Sequence, residues 1–217
     1  MPFHRRADRD VVGIFAKAPV PGYVKTRLAA EIGPTAAAEL YRWVGRAVVA
    51  TSAAAATHTT VVWYTPWGRR TVIREWLEGI PGVRLRAQPA GDLGRRLRLA
   101  FARHFEAGAR RVVIIGTDCP GITSSTLERA FDALRTTDLV LGPAVDGGYY
   151  LIGLRAPQPQ LFQRMAWSTD QVFRATVQRA GVLGCSCRVL RRLRDLDTLD
   201  DAQALGLLPP SAYRDRC

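Results

Sequence analysis

Apolar positions along the chain change their period several times. Val11-Val12-Gly13-Ile14-Phe15-Ala16 is a short continuous run, the pattern of a strand buried on both faces. Val112-Val113-Ile114-Ile115 is the clearest run of this kind. Thr60 to Thr65 is β-branched and aromatic and predicts another strand, while Val83 to Ala87 alternates. Asp138 to Gly142, Tyr149 to Leu154 and Arg188 to Leu190 complete the predicted strands. Helical spacing fills the intervals. A long helix runs from Gly33-Pro34 to about Ala56 with Leu40, Val44 and Val48 on one side, and a short one covers Arg70 to Glu78. Asp92 to Ala107 carries Leu93, Leu97, Ala100, Phe101 and Phe105 on one stripe. Thr123 caps a helix to about Arg135. Ser168-Thr169-Asp170-Gln171 fits a capping box opening a helix to about Ala180, and Asp200 to Leu205 is a last short helix.

Strands alternating with helices predict one α/β domain with a mostly parallel central sheet. Residues 1–10 read as an N-terminal extension, 11–208 as the domain and 209–217 as a C-terminal tail. In such sheets ligands bind beyond the carboxyl ends of the strands. The segments that follow strands are therefore the ones to search for chemistry.

Composition narrows the classes. Hydrophobic residues make up 47% and charged residues 23%, which is the balance of a globular chain. No apolar run approaches the roughly 18 residues of a membrane span, and the charged N-terminus does not read as a secretory signal. Four cysteines (Cys119, Cys185, Cys187 and Cys217) are too few for a secreted disulfide scaffold, which points to the cytoplasm. Cys185-Ser-Cys187 has the wrong spacing for zinc and reads as strand packing.

The formal net charge is +12 from 31 basic and 19 acidic residues. Nucleic acid, an anionic surface and a phosphorylated small molecule all suit such a charge. The arginines are spread along helices without interleaved aromatics, which argues against nucleic acid. Only two of the basic residues are lysines, Lys17 and Lys25, and both lie just after the first predicted strand.

Five segments carry candidate chemistry. In Lys17-Ala-Pro-Val-Pro-Gly22-Tyr-Val-Lys25-Thr-Arg27-Leu28, a strand enters and a helix leaves. Gly22 allows close backbone approach to a ligand, and Lys25 and Arg27 bring charge suited to phosphates. It is not a P-loop, because Val24 stands where that motif needs Gly. Asp118, in Gly116-Thr-Asp-Cys-Pro120 at the end of the strongest strand, suits a Mg²⁺ ligand or a turn cap. Asp195, Asp197, Asp200 and Asp201 crowd the last strand-to-helix junction. The first two share a side if extended, and the last two suit a helix N-terminus. Asp146-Gly147-Gly148 is a tight turn whose Asp suits an acceptor hydroxyl, as its binder or its base, or is a plain turn. Gln88-Pro-Ala-Gly91-Asp92-Leu-Gly94 presents glycines before a helix in a similar way. The three histidines lie outside these segments.

Taken in order, Phe15 to Leu28, Gly91 to Gly94, Gly116 to Pro120, Gly142 to Tyr149 and Trp167-Ser168-Thr169 resemble the DUF2064 family. Its members are often labelled glycosyltransferases of the arsenosugar or radical-SAM-associated type. The resemblance runs from about Val11 to Leu205 and implies the single-domain GT-A fold of nucleotide-diphospho-sugar transferases. Asp195-Leu-Asp-Thr-Leu-Asp-Asp201 is also similar to the Asp-x-Asp-Thr-Pro-Glu-Asp segment of small guanylyltransferases, with Leu199 for Pro and Asp200 for Glu. The resemblance implies that Ala16, Lys17, Gly22, Lys25 and the Gly91-Asp92-Leu-Gly94 turn hold a nucleotide, with Lys25 and Arg27 on its phosphates. Asp118 and Asp197 would bind Mg²⁺ or Mn²⁺, and Asp146, Gly147, Gly148, Trp167 and Ser168 would face a small-molecule acceptor.

Two activities follow. One is nucleotidyl transfer from an NTP to a phosphate or phosphonate acceptor. The other is glycosyl transfer from a nucleotide sugar. A basic loop after the first strand, and a lone Asp118 instead of Asp-x-Asp, favour the first; the family label favours the second. A nucleotide-binding regulator without turnover is the non-enzyme alternative.

Overall fold

The computed structural model describes residues 10–55 and 57–207. His4, the predicted extension before Asp10, and the predicted tail 209–217 with Cys217 lie outside the described residues. The chain forms strands β1 (Asp10–Lys17), β2 (Thr59–Thr65), β3 (Val83–Ala87), β4 (Arg111–Gly116), β5 (Leu139–Pro143), β6 (Tyr149–Leu154) and β7 (Cys187–Val189). Its helices are α1 (Thr26–Ile32), α2 (Pro34–Ala53), α3 (Arg70–Trp76), α4 (Leu93–Glu106), α5 (Ser124–Ala133), α6 (Val172–Val182) and α7 (Leu199–Ala204). The strands make one seven-stranded sheet in the order β3-β2-β1-β4-β6-β5-β7, parallel except where β6 runs against β4 and β5. No helix among the described residues is long and apolar enough to cross a membrane.

The strands with continuous apolar runs lie at the centre. Val12, Ile14, Val113 and Ile115 pack under α2, α3 and α5 on one face. Val11, Val112, Ile114 and Ile152 pack with Leu97, Phe101 and Ala180 of α4 and α6 on the other. Both faces are covered, so the central strands cannot alternate with polar residues. A third cluster joins α1, α2 and α7 through Leu28, Val44, Leu196 and Ala202.

The predicted elements are present, with helix starts the main difference. Thr123 forms a capping box with Thr126, and Asp92 caps α4 by accepting from Arg95 N at 2.7 Å. The capping box expected at Ser168–Gln171 does not form. Ser168 takes a left-handed φ of 63°, whereas a capping residue is normally extended. Helix α6 begins at Val172 without a side-chain cap. A tertiary contact decides this. Gly147 lies so close to Asp170 that a Cβ on it would come within 2.1 Å of the Asp170 carbonyl, and Phe173 N donates to Gly147 O.

One buried polar pair belongs to the core itself. Trp63 of β2 is fully buried and donates its indole N–H to His104 Nε2 at 2.9 Å. Burial, with Arg86 nearby, pushes the His104 pKa down to about 4. The folded chain therefore prefers neutral His104. Stability is full above about pH 6.5, falls as the pH drops towards 4, and levels below it. Urea unfolding at pH 7 and pH 4 should show a loss on the order of 3 kcal/mol from this residue. His104→Gln keeps an acceptor but cannot titrate, and it should lose that part of the slope.

Candidate active site

The chain winds outward from β1 through β2 to β3, then returns to place β4 on the other side of β1. Loops leaving β1 and β4 therefore diverge, and a crevice opens between them at the carboxyl ends of the strands. A cleft of about 460 Å³ occupies this position. It is walled by the end of β1, the 24–27 turn, Gln88, the first turns of α4 and the end of β4 through Asp118.

Lys25 organises the cleft. It is the residue before α1 and adopts the left-handed conformation, φ 48° and ψ 49°, which is sparsely populated for residues other than Gly. Its side chain, 7% exposed, places Nζ 2.7 Å from Asp118 Oδ2 and 2.7 Å from Asp197 Oδ1. Burial alone would lower its pKa, but the two carboxylates outweigh burial and hold it above the ordinary range. Burial likewise works against ionised Asp118, and the Lys25 charge and hydrogen bond still keep it below the usual carboxylate range. Arg27, largely exposed, makes a short contact with the second oxygen of Asp197. The Tyr41 ring lies 5.8 Å from Lys25 Nζ. The Tyr41 hydroxyl is 2.8 Å from Thr117 Oγ1 and accepts from Lys17 N at 3.0 Å.

The 195–197 segment is set by its middle residue. Leu196 is fully buried in the cluster with α1 and α2, and its N–H donates to Asp118 O at 2.8 Å. In an extended stretch this leaves Asp195 and Asp197 together on the opposite side. Carboxylate oxygens of Asp146, Asp195 and Asp197 lie within 4.8 Å of one another. Burial, then Asp146 and Asp118, push the Asp195 pKa up to about 7. Three hard oxygen donors this close, one of them reluctant to ionise, suit Mg²⁺ or Mn²⁺.

The predicted site residues thus divide. Ala16, Lys17, Lys25, Arg27, Asp118 and Asp197 line the cleft. Gly22, Gly91, Asp92 and Gly94 do not: Asp92 caps α4, and Gly94 is pressed against Trp167, where a Cβ would meet the indole nitrogen at 2.6 Å. Asp146 joins Asp195 and Asp197, and its own Oδ1 accepts from Gly148 N at 2.8 Å. Gly147 backs onto Asp170, and Trp167 and Ser168 lie outside the cleft wall.

Sequence reasoning missed Tyr41, Thr117 and Arg96. Arg96 donates to Gln88 Oε1 at 3.2 Å and to Gly91 O at 2.8 Å, while the Gln88 amide donates to Trp63 O at 2.9 Å. A polar-tipped aromatic on the buried stripe of a long helix was the available signal for Tyr41.

The pattern of the DUF2064 family, described as uncharacterized proteins conserved in bacteria, matches residues 48–169. The chain belongs to that family. Lys25 and Asp197 both lie outside the matched stretch. A provisionally named nucleotide-diphospho-sugar transferase from Desulfovibrio desulfuricans G20 is 31% identical, with a TM-score of 0.87 over 96% of this chain and 91% of that one. Rv0371c from Mycobacterium tuberculosis H37Rv is 18% identical, with a TM-score of 0.58 over 93% of this chain and 100% of its own. A CMP:2-keto-3-deoxy-manno-octonic acid synthetase complexed with CTP is 13% identical, with a TM-score of 0.55 over 91% of this chain and 98% of its own. All three likenesses support the shared fold, and the first, at 31% identity, also supports a nucleotide-dependent transferase. No curated protein matches the sequence.

A divalent cation taking Asp197 would compete with the Lys25 ammonium for it. Lys25→Met should lower the melting temperature without metal, because it strands two carboxylates at a cost on the order of 2–4 kcal/mol. It should also bind Mn²⁺ at least tenfold tighter in calorimetry, and Mn²⁺ should restore the melting temperature. Unchanged Mn²⁺ affinity would show that the ammonium and the metal site are independent.

Proposed function

We propose that the protein transfers a nucleotidyl group from an NTP to a small phosphorylated or phosphonate acceptor, releasing pyrophosphate. The observation that carries this reading is the meeting, at the sheet's switch point, of Lys17, Lys25, Arg27 and Arg96 with the carboxylates of Asp118 and Asp197. Four cations along one cleft suit the negative charge of a triphosphate. The fit of Asp146, Asp195 and Asp197 to a hard cation supports Mg²⁺ or Mn²⁺ as cofactor, and Rv0371c has also been solved as a manganese complex. When bound, such an ion neutralises phosphate charge as a Lewis acid.

The chain's own residues supply position and charge. Phe15, Leu93 and Leu97 give the cleft an apolar wall against which a base can lie. Gln88 holds Arg96 at its rim. Lys25 and Arg27 stand where the β- and γ-phosphates carry charge as they leave. An acceptor phosphate oxygen attacks the α-phosphorus, a new P–O bond forms, and the bond from the α-phosphorus to the bridging oxygen breaks with pyrophosphate departing. The acceptor oxygen is already anionic, so positioning and charge stabilisation do most of the catalysis.

Glycosyl transfer is the second reading, favoured by the name of the Desulfovibrio relative. Thermal shift with Mn²⁺ separates the two. One triphosphate at a hundredfold excess over its Kd should raise the melting temperature by about 5–10 °C, while its nucleoside does little. Stabilisation by a nucleotide sugar, with none by any triphosphate, would overturn nucleotidyl transfer.

A further inference from the structure

On the sheet face covered by α2 and α3, α5 is the last helix in the row. It packs over β4, whereas α6, the helix on β5, belongs to the opposite face. β6, β5 and β7 therefore continue past α5 with no further helix above them among the described residues. A groove of about 670 Å³ opens there, in the size range of small-molecule sites.

Its lining is cationic. Arg129 of α5 stands on one side, and Arg188 of β7 and Arg191 just beyond it stand on the other. Arg188 is the register partner of Val140, whose side chain belongs to the core on the α5 face, so Arg188 rises on that face as well. None of these three guanidinium groups has an ion pair or hydrogen bond to another described residue. The carboxylate in the lining, Asp132, is paired with Arg135 at 3.1 Å and makes no ion pair with them. Some arginines elsewhere have partners. Arg46 and Arg179 bind carbonyls, and Arg111 holds both oxygens of Asp10. Three exposed guanidinium forks lining one groove, none engaged by another side chain, suit the planar, multi-acceptor geometry of phosphate.

The groove is a separate space from the cleft, but one ring borders both. Tyr150 lines each of them and donates its hydroxyl to Arg191 O at 3.0 Å. The ring lies on Gly142, where a Cβ would come within 2.4 Å, so the wall between the two spaces is one tightly held side chain.

We infer that this groove is a second binding site, for the phosphate group of a small phosphomonoester, held by Arg129, Arg188 and Arg191 and occupied together with the cleft. The inference does not rest on which transfer reaction the cleft performs. Calorimetry with sn-glycerol 3-phosphate and with inorganic phosphate tests it on the full chain. Arg129→Gln/Arg188→Gln should weaken the ester at least tenfold while leaving the thermal unfolding profile intact. Arg74→Gln/Arg84→Gln, which removes the same charge elsewhere, and Arg27→Gln in the cleft should leave it unchanged. Saturating a nucleotide that binds the cleft should not displace the ester. Equal loss in the remote double variant, loss in the cleft variant, displacement by nucleotide, or no binding would each overturn the site. Tighter binding of inorganic phosphate than of the ester would overturn the ester assignment.

Discussion

The ammonium of Lys25 between Asp118 and Asp197 is the constraint around which the site is built. It ties together three distant parts of the chain: the loop after β1, the end of β4 and the segment before α7. Each tie is physically costly. The lysine sits in a left-handed backbone conformation, and its charge is nearly removed from water. Such a charge persists only because two carboxylates meet it at hydrogen-bonding distance. The same pairing keeps Asp118 ionised although partial burial works against its charge.

Apolar packing brings these parts within reach. Leu28 follows Lys25 by three residues, and Leu196 lies between Asp195 and Asp197; both are fully buried in the cluster joining α1, α2 and α7. Burying the leucines leaves the charged neighbours facing the crevice. The β1–β4 switch point supplies the crevice. A hydrophobic cluster thus positions a polar one, and the direction of the sheet decides where both lie. The resulting charge distribution is uneven. Asp118 and Asp197 share a protein cation, while burial and then the neighbouring carboxylates push the Asp195 pKa up to about 7. The proposed divalent cation would relieve that imbalance.

Much of the architecture was legible in the chain. β4 was legible because a strand covered on both faces must be apolar throughout, and α4 because its buried stripe recurs at helical spacing. The capping box at Ser168 was misleading. Its local pattern is sound, but the approach of Gly147 to Asp170 forces a different backbone there. In the site, Lys25, Asp118 and Asp197 stood out because they follow strands in short motifs. Tyr41 and Arg96 did not, since each occupies an ordinary position in its own helix, and Thr117 was passed over beside Asp118 in the same motif. Only their neighbours across the sheet give them a place in the cleft.

By itself, the sequence determined the alternation of strands and helices, the buried character of the central strands, and the concentration of both lysines near one loop. These are local properties, written in period and composition. Tertiary structure alone decided which charges meet. It placed the Lys25 ammonium on carboxylates 93 and 172 residues away, moved Asp146 into the company of Asp195 and Asp197, and turned Trp167 onto Gly94. Electrostatic partnership depends on distances of a few ångströms between segments remote in sequence, and no local pattern encodes those distances.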